Sequence, residues 1–432
     1  MSEKIDLLVQ NIGQLCVIPA HDGGPQRGAD LGELGLLHDA AVAVHNGRVV
    51  DVGDDAKLRS VYASTLTLDA GGQLVTPGLV DPHTHLIWAG ARAHEFEQRI
   101  AGATYQEIMA AGGGINRTVQ DTRAADLNTL VEQSKARLNT MLAHGATTVE
   151  CKTGYGLNTS AEIAMLNAIA LLDAEHPVDL VPTFLGAHAV PPEYADDVDG
   201  YVDVVIGEML PAVVEWQAEH WPGTLYCDVF CEVGAFDLAQ TRRILTAACA
   251  HGLELKLHAD EFEPLGGPAL AAELGAVSVD HIVVTPAEDI AAVGASDTVA
   301  VALPPTPFGL GHSAYTPARA FLEAGAALAI ATDCNPGTGW CESMQFVMAL
   351  ATRYMHLTPA EALAAATINS AFAIGRGLRV GSLEVGKQGD LVIWDAPSYE
   401  HLSYRFGTNL AQVVVKRGQV AYSARWGGTF GM

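Results

Sequence analysis

Gly78-Leu79-Val80-Asp81-Pro82-His83-Thr84-His85 joins a short apolar run to two histidines one residue apart. Successive side chains of a β-strand point to opposite faces, so His83 and His85 point the same way. Two imidazoles on one side of a strand end supply half of the ligands of a divalent metal site. An isolated His-x-His is more often two solvated surface histidines, since short motifs frequently match by chance. The metal interpretation therefore depends on what the rest of the chain places beside these two residues.

From this stretch onward, the sequence alternates strand-like and helix-like segments. The predicted strands are Leu79–His83, Thr147–Cys151, Leu180–Leu185, Tyr226–Cys231, Leu253–His258, Ser278–His281, Val299–Leu303 and Leu328–Thr332. The predicted helices include Leu127–Ala143, Ala161–Asp173, Leu238–Ala250, Pro268–Leu274 and Pro359–Gly375. Eight strand-then-helix units predict an α/β fold, a parallel TIM-like (β/α)₈ barrel.

The composition suits a large folded enzyme. The chain has 432 residues, which is natural for a barrel of about 250 residues plus an accessory part. Hydrophobic residues make up 49% and charged residues 17%, so a large core is expected and disorder is not. Short strands are also predicted near both ends, at Ile5–Val9, Ala41–Val44, Val49–Val52, Leu391–Trp394 and Val413–Val415, with a hairpin turn at Asn46-Gly47.

Charge and cysteine usage exclude several classes of partner. The formal net charge is -26, whereas nucleic acids and anionic membranes require a basic face. The seven cysteines are scattered and odd in number, which fits a reducing compartment better than a disulfide framework. The N-terminus lacks a signal-peptide pattern, and no run reaches the roughly 18 apolar residues of a spanning helix. A soluble, cytoplasmic protein without nucleic-acid or membrane partners is expected.

Ionisable residues end several of the predicted strands. His258 ends the fifth, His281 the sixth, and Asp333 follows the eighth, while His83 and His85 end the first. The carboxyl ends of barrel strands converge on one mouth. His83, His85, His258 and Asp333 thus form a plausible site for one hard or borderline cation. Such a cation would lower the pKa of a bound water to near neutrality.

Further polar residues follow the same strand ends. Glu261 lies three residues past His258 and is placed to accept a proton, although a solvated loop acid is the alternative. Asp260 is expected at the surface or behind the ligands. Arg92, Tyr155, His188 and the loop Asn335-Pro336-Gly337-Thr338 follow the first, second, third and eighth strands. An arginine suits a bidentate carboxylate contact, but each of these residues alone fits a plain loop equally well.

Several of these stretches together resemble one family. They are Asp81-Pro82-His83-Thr84-His85, Gly90-Ala91-Arg92, Ala111-Gly112-Gly113-Gly114-Ile115, Lys152-Thr153-Gly154-Tyr155-Gly156, Phe184-Leu185-Gly186-Ala187-His188, His258-Ala259-Asp260-Glu261 and Thr332-Asp333-Cys334-Asn335-Pro336-Gly337. With them, the chain resembles the imidazolonepropionase family of the amidohydrolase superfamily over nearly its whole length. The resemblance implies hydrolysis of 4-imidazolone-5-propanoate to N-formimino-L-glutamate in histidine degradation, in a homodimer with zinc or iron bound.

The resemblance also implies residue roles. The metal ligands would be His83, His85, His258 and Asp333. The substrate pocket would be lined by Arg92, Tyr155, His188, Glu261, Asn335, Gly337 and Thr338. From the chemistry of that reaction, we further predict that Glu261 or Asp333 moves protons, that a protonated His281 or His188 polarises the ring carbonyl, and that Arg92 holds the propanoate.

The superfamily pattern extends to domain organisation and metal number. The run 381–392 resembles its C-terminal return, which implies that both chain ends meet in one small β-sandwich. The expected parts are then 1–75 and 379–432 for the sandwich and 76–378 for the barrel. The fourth strand is not followed by the bridging lysine of dinuclear relatives, so one metal is favoured and Glu232 stays a weaker second ligand. The Gly112–Gly114 loop is expected to shape or cover the pocket.

Two rival functions remain at this point. A purine or pyrimidine deaminase would share the same metal frame, and release of ammonia would distinguish it. A non-catalytic relative would be expected to lose metal ligands, whereas all four are present here.

Overall fold

The computed structural model describes residues 2–102 and 113–424 and the short strand at 428–429. Residues 111–112 of the predicted glycine-rich loop lie outside these described residues. The described strands are β1 (Glu3–Cys16), β2 (Leu36–His45), β3 (Arg48–Asp54), β4 (Tyr62–Asp69), β5 (Leu74–Pro77), β6 (Leu79–Asp81), β7 (Ala146–Lys152), β8 (Asp179–Ala187), β9 (Tyr226–Cys231), β10 (Glu254–Ala259), β11 (Ser278–His281), β12 (Val299–Ala302), β13 (Leu328–Ile330), β14 (Leu391–Trp394), β15 (Ala411–Lys416), β16 (Gln419–Ser423) and β17 (Gly428–Thr429).

Helices connect the strands. The described α-helices are Asp55–Val61, Ala93–Ile100, Ile115–Ala124, Leu127–Ala143, Thr159–Glu175, Val198–Val204, Leu210–His220, Leu238–Ala250, Gly267–Leu274, Ala287–Gly294, Pro305–Leu310, Ala318–Glu323, Met344–Tyr354, Pro359–Ala365, Ile368–Ala373 and Glu400–Tyr404. A π-helical turn, Val205–Met209, joins two of them, and single 3₁₀ turns lie at Gly28–Asp30 and Pro192–Tyr194. No described helix combines the length and the apolar character needed to cross a membrane.

The central element is the predicted barrel. Strands β6 to β13 pair in sequence order, and every pair is parallel. The barrel closes between its first and last strands through backbone bonds from Asp333 N to His83 O (3.1 Å) and from His85 N to Cys334 O (3.0 Å). The (β/α)₈ prediction is confirmed, and the closing bonds fall on the ligand motifs themselves.

Two barrel helices show why the local sequence folds as it does. Helix Leu127–Ala143 begins after Asp126, whose carboxylate accepts the Thr129 N–H. Helix Leu238–Ala250 begins with a capping box between Asp237 and Gln240. Such caps satisfy N–H groups that have no partner inside the helix. Both helices therefore start at the predicted residue.

The chain ends form a second, mixed sheet beside the barrel. Its order is β17-β16-β15-β14-β5-β1-β2-β3, with β4 also paired to β1. The antiparallel pair β5–β14 joins the N-terminal strands to the C-terminal ones. Buried residues from both ends, including Leu7, Val44, Ile393 and Val415, share one hydrophobic cluster. The small β domain built from both termini is thus present, while the boundaries at 75/76 and 378/379 stay a prediction.

Candidate metal centre

Four predicted ligands meet at the carboxyl end of the barrel. His83 and His85 follow β6, His258 lies in β10, and Asp333 follows β13. All four residues are at most 2% exposed. Asp333 Oδ1 lies 3.6 Å from His83 Nε2 and 3.5 Å from His85 Nε2. The Nε2 atoms of His85 and His258 face each other at 3.4 Å.

The free atoms of this cluster fit a cation. Among the described residues, His83 Nε2 and Asp333 Oδ1 are buried without a hydrogen-bond partner. Two facing imidazole nitrogens also repel each other unless a proton or a cation lies between them. Nitrogen and carboxylate donors in this number suit zinc or another first-row divalent metal. The donor set therefore fits one divalent ion.

Carboxylates behind the ligands orient two of the rings. His83 Nδ1 lies 2.6 Å from Asp280 Oδ2 in a buried hydrogen bond. His258 Nδ1 lies 2.9 Å from Asp228 Oδ2, without the alignment of a well-formed hydrogen bond. A carboxylate at Nδ1 favours the tautomer whose Nε2 lone pair is free, which is the form that binds metal.

Burial favours the neutral imidazoles of His83 and His85. It lowers the pKa of His83 well below the usual value, an effect that nearby Lys152 strengthens. The pKa of His85 is lowered likewise, by burial and then by His188. For Asp333, burial raises the pKa to about 6, although a hydrogen bond of 2.5 Å from Thr306 Oγ1 opposes this. Neutral rings leave lone pairs available to a cation.

His281 and Glu261 lie at the edge of the cluster. The ring centroid of His281 is 5.1 Å from that of His258 and 5.4 Å from that of His83. Its nitrogen forms a second possible ligand group with those two histidines. Glu261 Oε2 lies 3.7 Å from His281 Nδ1, and burial, followed by repulsion from Asp333, raises the pKa of Glu261 well above its usual value. The pair is placed to handle protons beside the ligands.

The loop that carries Glu261 is held by Glu232. Glu232 Oε2 accepts the backbone N–H groups of Phe262 (2.9 Å) and Glu263 (3.3 Å), and Oε1 accepts that of Val233 (2.8 Å). Both oxygens of this weaker candidate ligand are thus engaged in shaping a loop. Asp260 is buried, and its Oδ1 accepts the Leu265 N–H, so it also holds this loop.

Tyr155 and His188 cover one side of the cluster. The His188 ring stacks on that of His85 at 4.7 Å between centroids, and its Nδ1 lies 3.0 Å from Gly154 O. The Tyr155 ring centroid lies 5.7 Å from that of His85. Burial lowers the pKa of His188 to about 3, so this ring is neutral as well.

Arg92 and the loop after β13 border a cleft of about 540 Å³. The Arg92 Nε bonds Glu95 Oε2 at 2.8 Å, and its guanidinium packs so closely on Gly337 that a Cβ there would overlap Nη1. The amide of Asn335 is used inside the loop: Oδ1 accepts the N–H groups of Gly337 and Thr338, both at 2.8 Å. Gly337 and Thr338 line the cleft themselves.

Over most of its length, the chain is similar to one family of known enzymes. The model of the amidohydrolase family matches residues 74–421. An imidazolonepropionase of Herpetosiphon aurantiacus is 56% identical over 417 residues, which cover 96% of this chain and 97% of the relative. The chain belongs to the imidazolonepropionase family of amidohydrolases. A second member, from Chloroflexus aggregans, is 50% identical and covers 97% of this chain and 99% of its own length.

Solved structures show how widely the amidohydrolase fold is shared. An adenosine deaminase from Xanthomonas campestris, with bound zinc, aligns with a TM-score of 0.71 at 21% identity and covers all of this chain and 96% of its own. Guanine deaminase from E. coli aligns with a TM-score of 0.69 at 15% identity, covering 96% of this chain and 99% of its own. At such low identity the agreement concerns the fold alone.

The charged residues beneath the ligands of this amidohydrolase were missed from the sequence. Asp228 and Asp280 were not candidates, nor were the buried lysines Lys152 and Lys256. These four residues could have been found from ionisable residues that lie two positions apart in a barrel strand, as in Lys256-Leu257-His258. Such pairs share a face of the strand, and in a closed barrel one face points inward.

Proposed function

We propose that this protein hydrolyses the ring amide of 4-imidazolone-5-propanoate to N-formimino-L-glutamate in histidine degradation, with one metal ion per subunit. The observation that carries the proposal is the meeting of three histidines and Asp333 at the mouth, with His83 Nε2 and Asp333 Oδ1 unpartnered among the described atoms. Relatives named imidazolonepropionase, at 56% and 50% identity over nearly the whole chain, support the choice of substrate. The deaminase alternative is supported by fold alone.

His83, His85, His258 and Asp333 would hold the metal, which is zinc or iron. A bound divalent ion acidifies water and so supplies a nucleophile at neutral pH. His281 stays outside the ligand set in this proposal, because three histidines and Asp333 already supply the four donors expected for one divalent ion. Glu232 is left out of the ligand set in this proposal, because its carboxylate already accepts three backbone N–H groups.

Glu261 would accept the proton of the attacking water and deliver it to the leaving ring nitrogen. Asp333 is the other candidate acceptor of this proton, since its Oδ1 lies 3.6 Å from His83 Nε2 and 3.5 Å from His85 Nε2. A buried carboxylate beside a second acid is a better base than an exposed one, because both burial and repulsion disfavour its charge.

His281 would donate an N–H to the ring carbonyl oxygen, where negative charge develops. A neutral imidazole keeps one such donor, so the role does not require the protonated ring. His188 would stack beside the ring of the substrate, as it stacks on His85. Tyr155 closes the same side of the pocket.

Arg92 would bind the propanoate carboxylate. Its side chain is 12% exposed and borders the cleft, and Glu95 holds Nε, so Nη1 and Nη2 remain on the other side of the planar group. Because Gly337 has no side chain, the guanidinium can lie against it. Asn335 accepts the N–H groups of Gly337 and Thr338 and so fixes the backbone of this loop beside the cleft.

The direct test is incubation with freshly generated imidazolone propanoate, following the loss of its ultraviolet band. We expect turnover by the metal-loaded protein, about one metal per subunit by elemental analysis, and loss of turnover after chelation. Asp333→Asn should lose metal and activity, whereas Asp297→Asn, at a fully exposed carboxylate, should lose neither. Stoichiometric ammonia release, or full activity without metal, would contradict the proposal.

The partners, the compartment and the oligomeric state of the protein are also proposed. A small-molecule substrate without nucleic-acid or membrane partners agrees with the net charge of -26. All seven cysteines are unpaired, which supports a reducing, cytoplasmic compartment. A homodimer is expected from the family resemblance, and light scattering on the purified protein tests it.

A further inference from the structure

A cluster of charges lies inside the barrel, directly beneath the metal ligands. It consists of two lysines and three carboxylates, each 0% exposed: Glu150, Lys152, Asp228, Lys256 and Asp280. Removing charges from water costs several kcal/mol each, and a hydrophobic replacement is often as stable. The cluster is therefore poorly explained by stability alone.

Lys152 connects the two carboxylates that orient the ligand histidines. Its Nζ lies 2.7 Å from Asp228 Oδ2 and 3.5 Å from Asp280 Oδ2. These are the same oxygens that face His258 Nδ1 at 2.9 Å and His83 Nδ1 at 2.6 Å. One ammonium group thus holds both carboxylates at the atoms through which they contact the rings.

We propose that Lys152 is a positioning residue of the metal centre, which fixes the rings of His258 and His83 through Asp228 and Asp280. The inference rests on the metal-dependent function proposed above. A carboxylate held at a histidine Nδ1 sets the direction in which Nε2 points. Without the ammonium, two buried carboxylates would repel each other and turn away, and both rings would lose their alignment.

Lys256 offers a matched control in the same cluster. Its Nζ bonds Pro82 O at 3.0 Å and lies 3.3 Å from Glu150 Oε1. It is 4.0 Å from Asp280 and forms no ion pair with Asp228 among the described residues. Both lysines are fully buried, so replacing either one removes a similar charge and a similar volume.

The experiment measures Zn²⁺ affinity by competition with a chromogenic chelator. Lys152→Met should weaken Zn²⁺ binding by about 10- to 100-fold, the usual effect of losing a group that orients metal ligands. Lys256→Met should weaken it by less than about threefold. The unfolding midpoint of each metal-free variant gives the purely structural loss. Equal losses of Zn²⁺ affinity in the two variants would overturn the proposal.

A charge-balanced variant covers the case in which Lys152→Met does not fold. Glu150 accepts the Thr183 hydroxyl at 2.5 Å and its Oε1 also lies 2.7 Å from Lys152 Nζ, but it touches neither ligand histidine. Glu150→Gln therefore removes one charge beside Lys152 and leaves the contacts of Asp228 and Asp280 with the two rings. The double variant Lys152→Met/Glu150→Gln should bind Zn²⁺ about tenfold more weakly than Glu150→Gln. Equal affinity of these two proteins would overturn the proposal as well.

The titration needs no substrate, so it separates this inference from the proposed reaction. If wild-type protein leaves imidazolone propanoate intact while Lys152→Met loses Zn²⁺ affinity, the reaction is wrong and the positioning role stands. If wild-type protein hydrolyses the compound and Lys152→Met keeps its Zn²⁺ affinity, the positioning role is wrong and the reaction stands.

Discussion

Arg92 is the clearest single-residue test of the substrate. Its guanidinium borders the cleft, with Nε bound to Glu95 and Gly337 packed against Nη1. A hydrogen bond to a charged group contributes about 1.5–3 kcal/mol. Arg92→Ala should therefore raise KM for imidazolone propanoate by about 10- to 100-fold and change kcat much less. Steady-state kinetics measure both constants.

Arg117→Ala is the matched control for that variant. Its side chain is 52% exposed and pairs with Asp121 on a nearby helix. We expect its KM to equal that of the wild type. An unchanged KM in Arg92→Ala would show that another group binds the propanoate.

Single residues could be predicted where they directly end a strand. His83, His85, His258 and Asp333 all follow or close an apolar run, and the structure brings these four together. Asp280, next to the predicted His281, could not be placed, because alternation sends neighbouring strand residues to opposite faces. A φ of 75° at His281 breaks the alternation, so both side chains reach the same cluster.

At the scale of elements, Glu162 organises the loop that carries Tyr155. Its buried carboxylate accepts the N–H groups of Gly154, Gly156 and Leu157 at 3.1, 2.8 and 2.8 Å. Glu162→Gln would turn an NH₂ group toward these donors and remove the charge. We expect a loss of about 2 kcal/mol in the free energy of unfolding and a KM raised several-fold.

Urea unfolding and substrate titration measure these two effects. Glu175→Gln, at the exposed end of the same helix, controls for the substitution itself. If both variants behave alike, the loop is held by other contacts.

His176, at the end of that helix, should make stability depend on pH. Its Nδ1 accepts the Val178 N–H at 3.2 Å and its Nε2 contacts Asn139 at 3.2 Å, so a second proton would break a bond. Burial, and then Lys135, lowers the pKa of His176 to about 4 in the folded protein. The unfolded state, with a pKa of about 6.5, binds the proton first. Stability is then full above pH 6.5 and falls as the pH drops toward 4.

His176→Gln tests this dependence. Between pH 7 and pH 5 the wild type should lose about 2 kcal/mol more than the variant. His251→Gln, at an exposed histidine, should follow the wild type. Other buried histidines add to the slope of all three proteins, so the difference between the curves is the measurement. Parallel curves for wild type and His176→Gln would rule out this role.

Elements were predictable where the local sequence carries the signal. Helices Leu127–Ala143 and Leu238–Ala250 match because an aspartate caps each. Strand β1 runs well beyond the predicted Ile5–Val9, since a bulge with φ of 55° at Asn11 interrupts its alternation. Strand β4 was missed because most of its residues are exposed, so it has no apolar run to show.

At the scale of the whole molecule, the joining of the chain ends has no local signal. Strands β5 and β14 pair although more than 300 residues separate them, from Val75 to Ile393. Nothing in either short run specifies the other as its partner. The barrel, whose strands pair in sequence order, could be derived from the alternation of the sequence, whereas the terminal domain needed the family resemblance.

One buried lysine ties the terminal domain to the barrel. Lys416 of β15 is fully buried, and its Nζ lies 2.8 Å from Asp179 at the start of β8 and 2.7 Å from Asp390. Burial alone would raise the pKa of Asp179, but Lys416 holds this pKa below its usual value. Lys416→Met would leave two carboxylates side by side without this partner. We expect the free energy of unfolding to fall by about 3 kcal/mol, measured by urea titration.

Arg417 provides the comparison for this last prediction. It also pairs with Asp179, but its side chain is 48% exposed, so Arg417→Ala should cost less than about 1 kcal/mol. Asp179 begins its strand, at the pole opposite the metal ligands, so folded Lys416→Met should keep the kcat and KM of the wild type. A variant as stable as the wild type would mean that the two domains are joined by their apolar contacts alone. A variant with normal stability but low kcat would instead mean that the terminal domain acts on the mouth across the length of the barrel.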